Sequence, residues 1–207
     1  MKETRRQTAV PAEATAHLVA TDPTLAALVA RIGTLEYKLE PDLWRSLVGS
    51  IIGQQLSVRA AATIRARIAA LGSNGFPGPD VILAAADEDL RGCGLSRAKA
   101  GYVRDLAHRY LAGEIDPSTL RGLPDEEVIQ DLVRVRGVGR WTAEMVLIFC
   151  LGRPDVLAVD DLGIRTAVQR AYGLDERPGG PDLVRIGDAW RPFRSYASLY
   201  LWESLKV

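Results

Sequence analysis

An all-α fold is predicted for this chain by two observations. Apolar residues recur every three or four positions along most of its length, and no long stretch alternates apolar with polar residues. Turns containing glycine separate the periodic stretches, as short helix connections require.

The elements follow in order. Residues 1–16 are polar and patternless, which predicts a flexible N-terminus with order from His17 onward. Asp22-Pro23, Pro41, and Pro124 followed by acidic residues read as helix starts, because proline fits the first helical turn and acidic groups favour it. Leu43, Leu47, Val48 and Ile51 fall on one helical face, as do Ile64, Ile68 and Leu71, and then Val103, Leu106 and Tyr110. The segments SNGFPGP (73–79) and RPGGP (177–181) are loops. The best strand candidate is VLAVD, from Val156 to Asp160.

Composition bounds the function. With 47% hydrophobic and 25% charged residues, the chain has the balance of a soluble globular protein. No apolar run reaches the ~20 residues of a membrane helix, and MKETRRQTAV lacks the apolar core of a secretory signal, so a cytoplasmic location, nucleoid-associated if bacterial, is expected. Cys93 and Cys150, with only two histidines in the chain, cannot supply a four-ligand zinc or iron–sulfur site from soft ligands. The net charge is zero, which gives no global attraction to nucleic acid. Of 26 basic residues 22 are Arg, the better fork for phosphate oxygens, although a codon bias accounts for them equally well.

Chemistry concentrates after Leu132, in LVRVRGVGRWTAEMVLIFCL. Gly137 and Gly139 allow a tight turn around Val138, and amides at the start of the next helix can approach a phosphate closely. Arg134, Arg136 and Arg140 flank the turn and can add phosphate contacts, which carry no base identity. Alone, such a turn is an ordinary helix connection. Farther on, Asp160 and Asp161 precede the helical pattern of Ile164, Val168 and Ala171. They can cap that helix. A carboxylate held there can equally stabilise positive charge at a deoxyribose C1′ and orient or deprotonate water.

The hairpin GVGRWTAE followed by DLGIR resembles the helix-hairpin-helix DNA glycosylases, specifically the 3-methyladenine DNA glycosylase II type. LVGSIIGQQLSVRAAATIRARI (47–68) and WRPFRSYASLYLW (190–202) extend the likeness over most of the chain from His17. The resemblance implies a glycosylase domain over 17–207, with its hairpin at about 128–151, and two helical lobes with DNA in the cleft between them. It implies that Asp161 is the catalytic carboxylate, with Asp160 the alternative because a related AVD pattern aligns one position earlier. It places Trp141, Met145 and Trp202 in the base pocket, where aromatic faces attract a cationic base, although Met145 departs from the family's aromatic. Gln54, Gln55 and Leu56 belong to the loop that fills the gap left by a flipped nucleotide, with either Gln55 or Leu56 as the wedge.

Trp141 stands where bifunctional relatives carry a catalytic Lys, so the expected reaction is monofunctional: water hydrolyses the N-glycosidic bond of an alkylated base such as 3-methyladenine. Lys99, on a separate amphipathic helix, reads as solvated. No organic cofactor is expected, but the resemblance implies a structural Na+ or K+ held by the carbonyls of Val133, Val135 and Val138. The expected partner is double-stranded DNA containing alkylated bases, bound by a monomer. The alternative is a non-catalytic repair module that uses the same hairpin to bind DNA. An endonuclease III-like enzyme is disfavoured by the missing four-cysteine cluster.

Overall fold

Strand β1 (Arg6–Ala9) and helix α1 (Ala12–Thr21) already occupy the stretch read as flexible, so order precedes His17. The physical reason is pairing: β1 runs antiparallel to β2 (Glu36–Leu39), with Thr8 opposite Tyr37. A four-residue strand gives too short a pattern to separate from a polar tail. The computed structural model describes residues 6–73 and 75–206. The rest of the expected flexible start, 1–5, lies outside them, as does position 74 of the 73–79 loop.

Between the strands lies α2 (Pro23–Ile32). After β2 come α3 (Leu43–Gly53), α4 (Val58–Ala69), α5 (Pro79–Ala84), α6 (Asp87–Gly92), α7 (Arg97–Leu111), α8 (Pro117–Gly122), α9 (Asp125–Leu132) and α10 (Arg140–Phe149). The chain closes with α11 (Leu162–Ala171), α12 (Gly180–Gly187), a single 3-10 turn at Asp188–Trp190, and α13 (Arg194–Ser204). The fold is mostly helical, as expected, with one two-stranded sheet among the described residues.

Two compact units share these elements. One joins the chain up to Pro41 with the chain from Leu147 on; the other is Asp42–Val146. In the central unit, α3 packs against α4 and α7, and buries Leu47, Val48, Ile51 and Ile52 with Ile68, Val103 and Leu106. Trp44 is buried here too; its indole nitrogen donates to the Pro77 carbonyl at 2.8 Å, and its ring meets the edge of Tyr110. Of the helix starts read from sequence, those at Asp22-Pro23 and after Pro41 are built by side-chain caps, whereas α9 begins at Pro124 without one; two further caps were not foreseen. Asp42 caps α3 through Arg45 N, and Ser57 and Ser96 cap α4 and α7, each worth about 1 kcal/mol.

In the terminal unit α13 packs against α2 and α11 around Leu25, Ile164, Val168 and Leu201. Asp22 organises this unit. Its Oδ1 caps α2 by accepting from Thr24 N and Leu25 N, and its Oδ2 accepts from Trp190 Nε1 at 2.8 Å and from the Tyr172 hydroxyl. The expected strand at Val156–Asp160 does not form. Val156, Leu157 and Ala158 are buried as the apolar run implied, but the Val156 amide donates to Ser195 Oγ at 2.9 Å instead of to a neighbouring strand.

Candidate active site

The central unit contains the hairpin. After α9, Val135 N donates to Leu132 O at 3.1 Å and Val138 N to Val135 O at 3.0 Å, which turns the chain tightly toward α10. Gly137 has φ +82°, and a Cβ there would meet the Tyr102 ring at 2.3 Å, so conformation and space both demand glycine. Gly139 differs. Nothing lies within 4 Å of its would-be Cβ, and its carbonyl begins the α10 ladder by accepting from Ala143 N. Its missing side chain leaves the helix start open to an approaching group.

Each of the three arginines around the turn has an intramolecular partner. Arg140 forks onto Glu126 at 2.9 and 2.7 Å and reaches Glu144 at 3.2 Å, while Arg136 bonds Asp105 through both its main-chain and side-chain nitrogens. Arg134, 68% exposed, pairs with Asp131 at 3.3 Å. The bonds from Arg140 and Gln130 hold the Glu126 carboxyl at about 2, well under the usual range. These arginines therefore brace the hairpin; Glu126 and Asp105 come from α9 and α7, 14 and 31 positions away, whereas Glu144 and Asp131 lie within four residues of Arg140 and Arg134.

The Gln54–Leu56 turn belongs to the same unit and is tied to the hairpin. Gln54 Nε2 donates to the Gly137 carbonyl at 2.7 Å. Gln55 and Leu56 are exposed at the tip. Lys99 corrects the sequence reading: it is not a solvated surface group, because its ammonium donates to Ile52 O at 2.8 Å and Gln54 O at 2.6 Å. Burial pushes it below the ordinary lysine value. Trp141, 46% exposed in the first turn of α10, and half-buried Met145 one turn later share a helix face.

Asp161 and Trp202 lie in the terminal unit, where the fold brings them together. Asp161 is 7% exposed, and its Oδ1 accepts from Ile164 N at 2.7 Å and from Trp202 Nε1 at 2.9 Å. Sequence left open which carboxylate caps the helix and which faces a pocket. Asp161 caps α11 and meets the indole with one oxygen; Asp160 is exposed.

Three neighbours were missed in the sequence. A Cβ on Gly163 would sit 3.1 Å from the Trp202 ring, so this glycine admits the indole against the first turn of α11. Phe149 stacks on Trp202 with centroids 5.8 Å apart. Both rings line a cavity of about 490 Å³ together with Tyr37 and Leu199. Burial, then Tyr196, push the Tyr37 phenol up to about 12. The glycine of DLGIR was a usable signal, since glycine is poor inside a helix unless space requires it. Tyr37 carried none, lying on the unforeseen β2.

Comparison with known proteins places this arrangement. Residues 48–192 match the model described as HhH-GPD superfamily base excision DNA repair protein. DNA-3-methyladenine glycosylase 1 of Schizosaccharomyces pombe is 35% identical over 172 residues, covering 82% of this chain and 75% of that protein. A structure of the S. pombe 3-methyladenine DNA glycosylase in complex with abasic DNA superposes with a TM-score of 0.84 at 32% identity, over 94% of this chain and 97% of that one. A Bacillus subtilis relative, 33% identical over 81% of this chain, is longer, and the match spans 61% of its length.

Proposed function

The chain belongs to the HhH-GPD superfamily of base excision DNA repair proteins, and on that premise we propose that it is a monofunctional DNA glycosylase. It hydrolyses the N-glycosidic bond of alkylated bases, such as 3-methyladenine, in double-stranded DNA, and acts as a monomer. One observation carries the reading: Asp161, almost wholly buried, is locked at the start of α11 by the Ile164 amide and the Trp202 indole. A carboxylate fixed at the edge of an indole joins the two functions that base excision needs. Its charge stabilises the cation developing at C1′ and orients water, and the electron-rich ring attracts a cationic base. Trp141, which is exposed, offers a further aromatic face.

An alkylated, positively charged purine is already a good leaving group, so differential stabilisation of the sugar cation can suffice without a strong general acid. The hairpin supplies the grip on DNA. With the Val138 amide held by the Val135 carbonyl, the Gly137–Val138–Gly139 turn brings the α10 N-terminus to a phosphate, while the paired arginines keep the turn rigid. The carbonyls of Val133, Val135 and Val138 suit a structural Na+ or K+, being neutral hard oxygens; those of Val133 and Val138 accept no main-chain amide among the described residues. Such an ion would support the turn.

The test is direct. Purified protein is incubated with duplexes carrying defined alkylated bases, and the released base is identified by chromatography. Free modified base with an intact abasic strand is the expected product. Tight binding without release would assign the chain instead to a non-catalytic DNA-binding module.

A further inference from the structure

Lys99 holds α3 by its end. Its ammonium bonds the Ile52 and Gln54 carbonyls, at 2.8 and 2.6 Å, where the helix dipole places negative potential. Gln54 in turn is fixed by its own side chain to the Gly137 carbonyl at 2.7 Å. Next in the chain is Gln55, at φ +55° the sole non-glycine in the left-handed region among the described residues. A glutamine keeps that conformation only where its surroundings over-determine it, and such residues cluster at functional sites. Around this apex the chain is open: Leu56 is 40% and Val58 85% exposed.

We propose that Lys99 is a positioning residue which, with Gln54, sets Gln55 as the side chain that fills the gap left by an extruded nucleotide. The proposal rests on the DNA reading above and adds how the wedge is held. A wedge resists the closing of a base stack, so a tip on a loose three-residue turn would yield, whereas one clamped from below keeps its place. The Gln54–Gly137 bond also fixes the spacing between wedge and phosphate grip, because both belong to the central unit. The ammonium touches no reacting atom.

Lys99→Met keeps the stem and removes the clamp; Lys99→Arg restores a donor, and Gln54→Leu cuts the second tie. Each is assayed in single turnover on a duplex with one 7-methylguanine paired with cytosine, and on the same lesion opposite an abasic analogue. Extrusion is cheap when the base is already unpaired, so Lys99→Met lowers release from the paired duplex about tenfold or more and from the unpaired one less than about twofold. Lys99→Arg recovers most of the loss, and Gln54→Leu repeats the pattern. Equal losses on both substrates would mean a merely structural lysine and overturn the proposal. Fluorescence of 2-aminopurine paired with thymine reads extrusion without chemistry. A rise with the wild-type protein that Lys99→Met abolishes supports the clamp even if no base is ever released, a result that would sink the glycosylase reading alone. Equal rises, or none with the wild type, overturn it. If Lys99→Met does not fold, Gln54→Leu and Lys99→Arg give the same comparison.

Discussion

Replacing Asp161 by Asn and by Ala separates its two duties. Asn retains an oxygen that can accept from Ile164 N and Trp202 Nε1, and Asn caps helices about as well as Asp. The stability loss for Asp161→Asn is therefore below about 1 kcal/mol, a shift in Tm within about 4 °C. Ala removes the acceptor altogether. A lost cap costs about 0.5–2 kcal/mol, and stranding the indole N–H beside a 7% exposed position adds roughly 1–3, so we take about 2–4 kcal/mol in total. That corresponds to a Tm lower by roughly 5–15 °C for a chain of this size. Activity follows charge instead. In the proposed reaction both variants lose the carboxylate that faces the sugar cation, so single-turnover release of 7-methylguanine falls by about a hundredfold or more in each, while binding to undamaged duplex by the Asn variant is unchanged. Exposed Asp160→Asn stays near wild type in both measurements. Full release by Asp161→Asn with loss in Asp160→Asn would transfer the chemistry to Asp160, and equal Tm losses for Asn and Ala would refute the capping argument.

Gly137→Ala forces a side chain into the Tyr102 ring at a left-handed position and weakens binding to damaged and undamaged DNA alike, whereas Gly139→Ala folds normally and any loss of affinity reports phosphate approach alone; fluorescence titrations on matched duplexes distinguish them. Tyr37 and Tyr172 ionise later than the ordinary phenol, both because burial opposes the phenolate, with Tyr196 adding to the first and the Asp22 hydrogen bond to the second. Their folded values lie above the unfolded ones, so the stability each gives is complete below about 10, the ordinary phenol value, and that of Tyr37 is lost as the pH rises from there through about 12. A phenolate absorbance titration should show two late tyrosines, one of them absent in Tyr37→Phe. If the reaction is monofunctional as proposed, with Trp141 standing where the resemblance puts the lyase Lys, borohydride traps no protein–DNA adduct, Lys99 being committed to carbonyls; a robust adduct lost in Lys99→Met would overturn hydrolysis by water.

How far the sequence carried depended on whether the controlling interaction was local. Helix starts at Asp22-Pro23 and after Pro41 were legible because caps act within four residues, and the core face of α3 showed in its period. The β1–β2 pair was not: each strand has four residues, and its hydrogen bonds lie about thirty positions away. Val156–Ala158 show the converse error, since burial makes them read as a strand while the Val156 amide bonds Ser195, from α13, and the Ala158 carbonyl accepts from Asp161 N. At the hairpin the glycines were equally legible but not equally used, because the Tyr102 ring that makes Gly137 obligatory comes from α7. Likewise Lys99 passed for a solvated lysine because both its acceptors are main-chain oxygens some 45 residues upstream.

In sequence, helix capping and chemistry read as alternative uses of the acidic pair Asp160 and Asp161. Asp161 does not divide that way. Ile164 N and Trp202 Nε1 both bond to Oδ1, and two donors on one oxygen fix the carboxylate plane, and with it the direction of Oδ2 relative to α11. A charge that must meet a developing cation works best when it needs no reorganisation as the reaction proceeds. The cap supplies that fixed direction from the backbone, the indole supplies it from the aromatic wall, and Gly163 makes room for the two to meet. In the proposed reaction the capping bond is thus the means by which the charge is aimed.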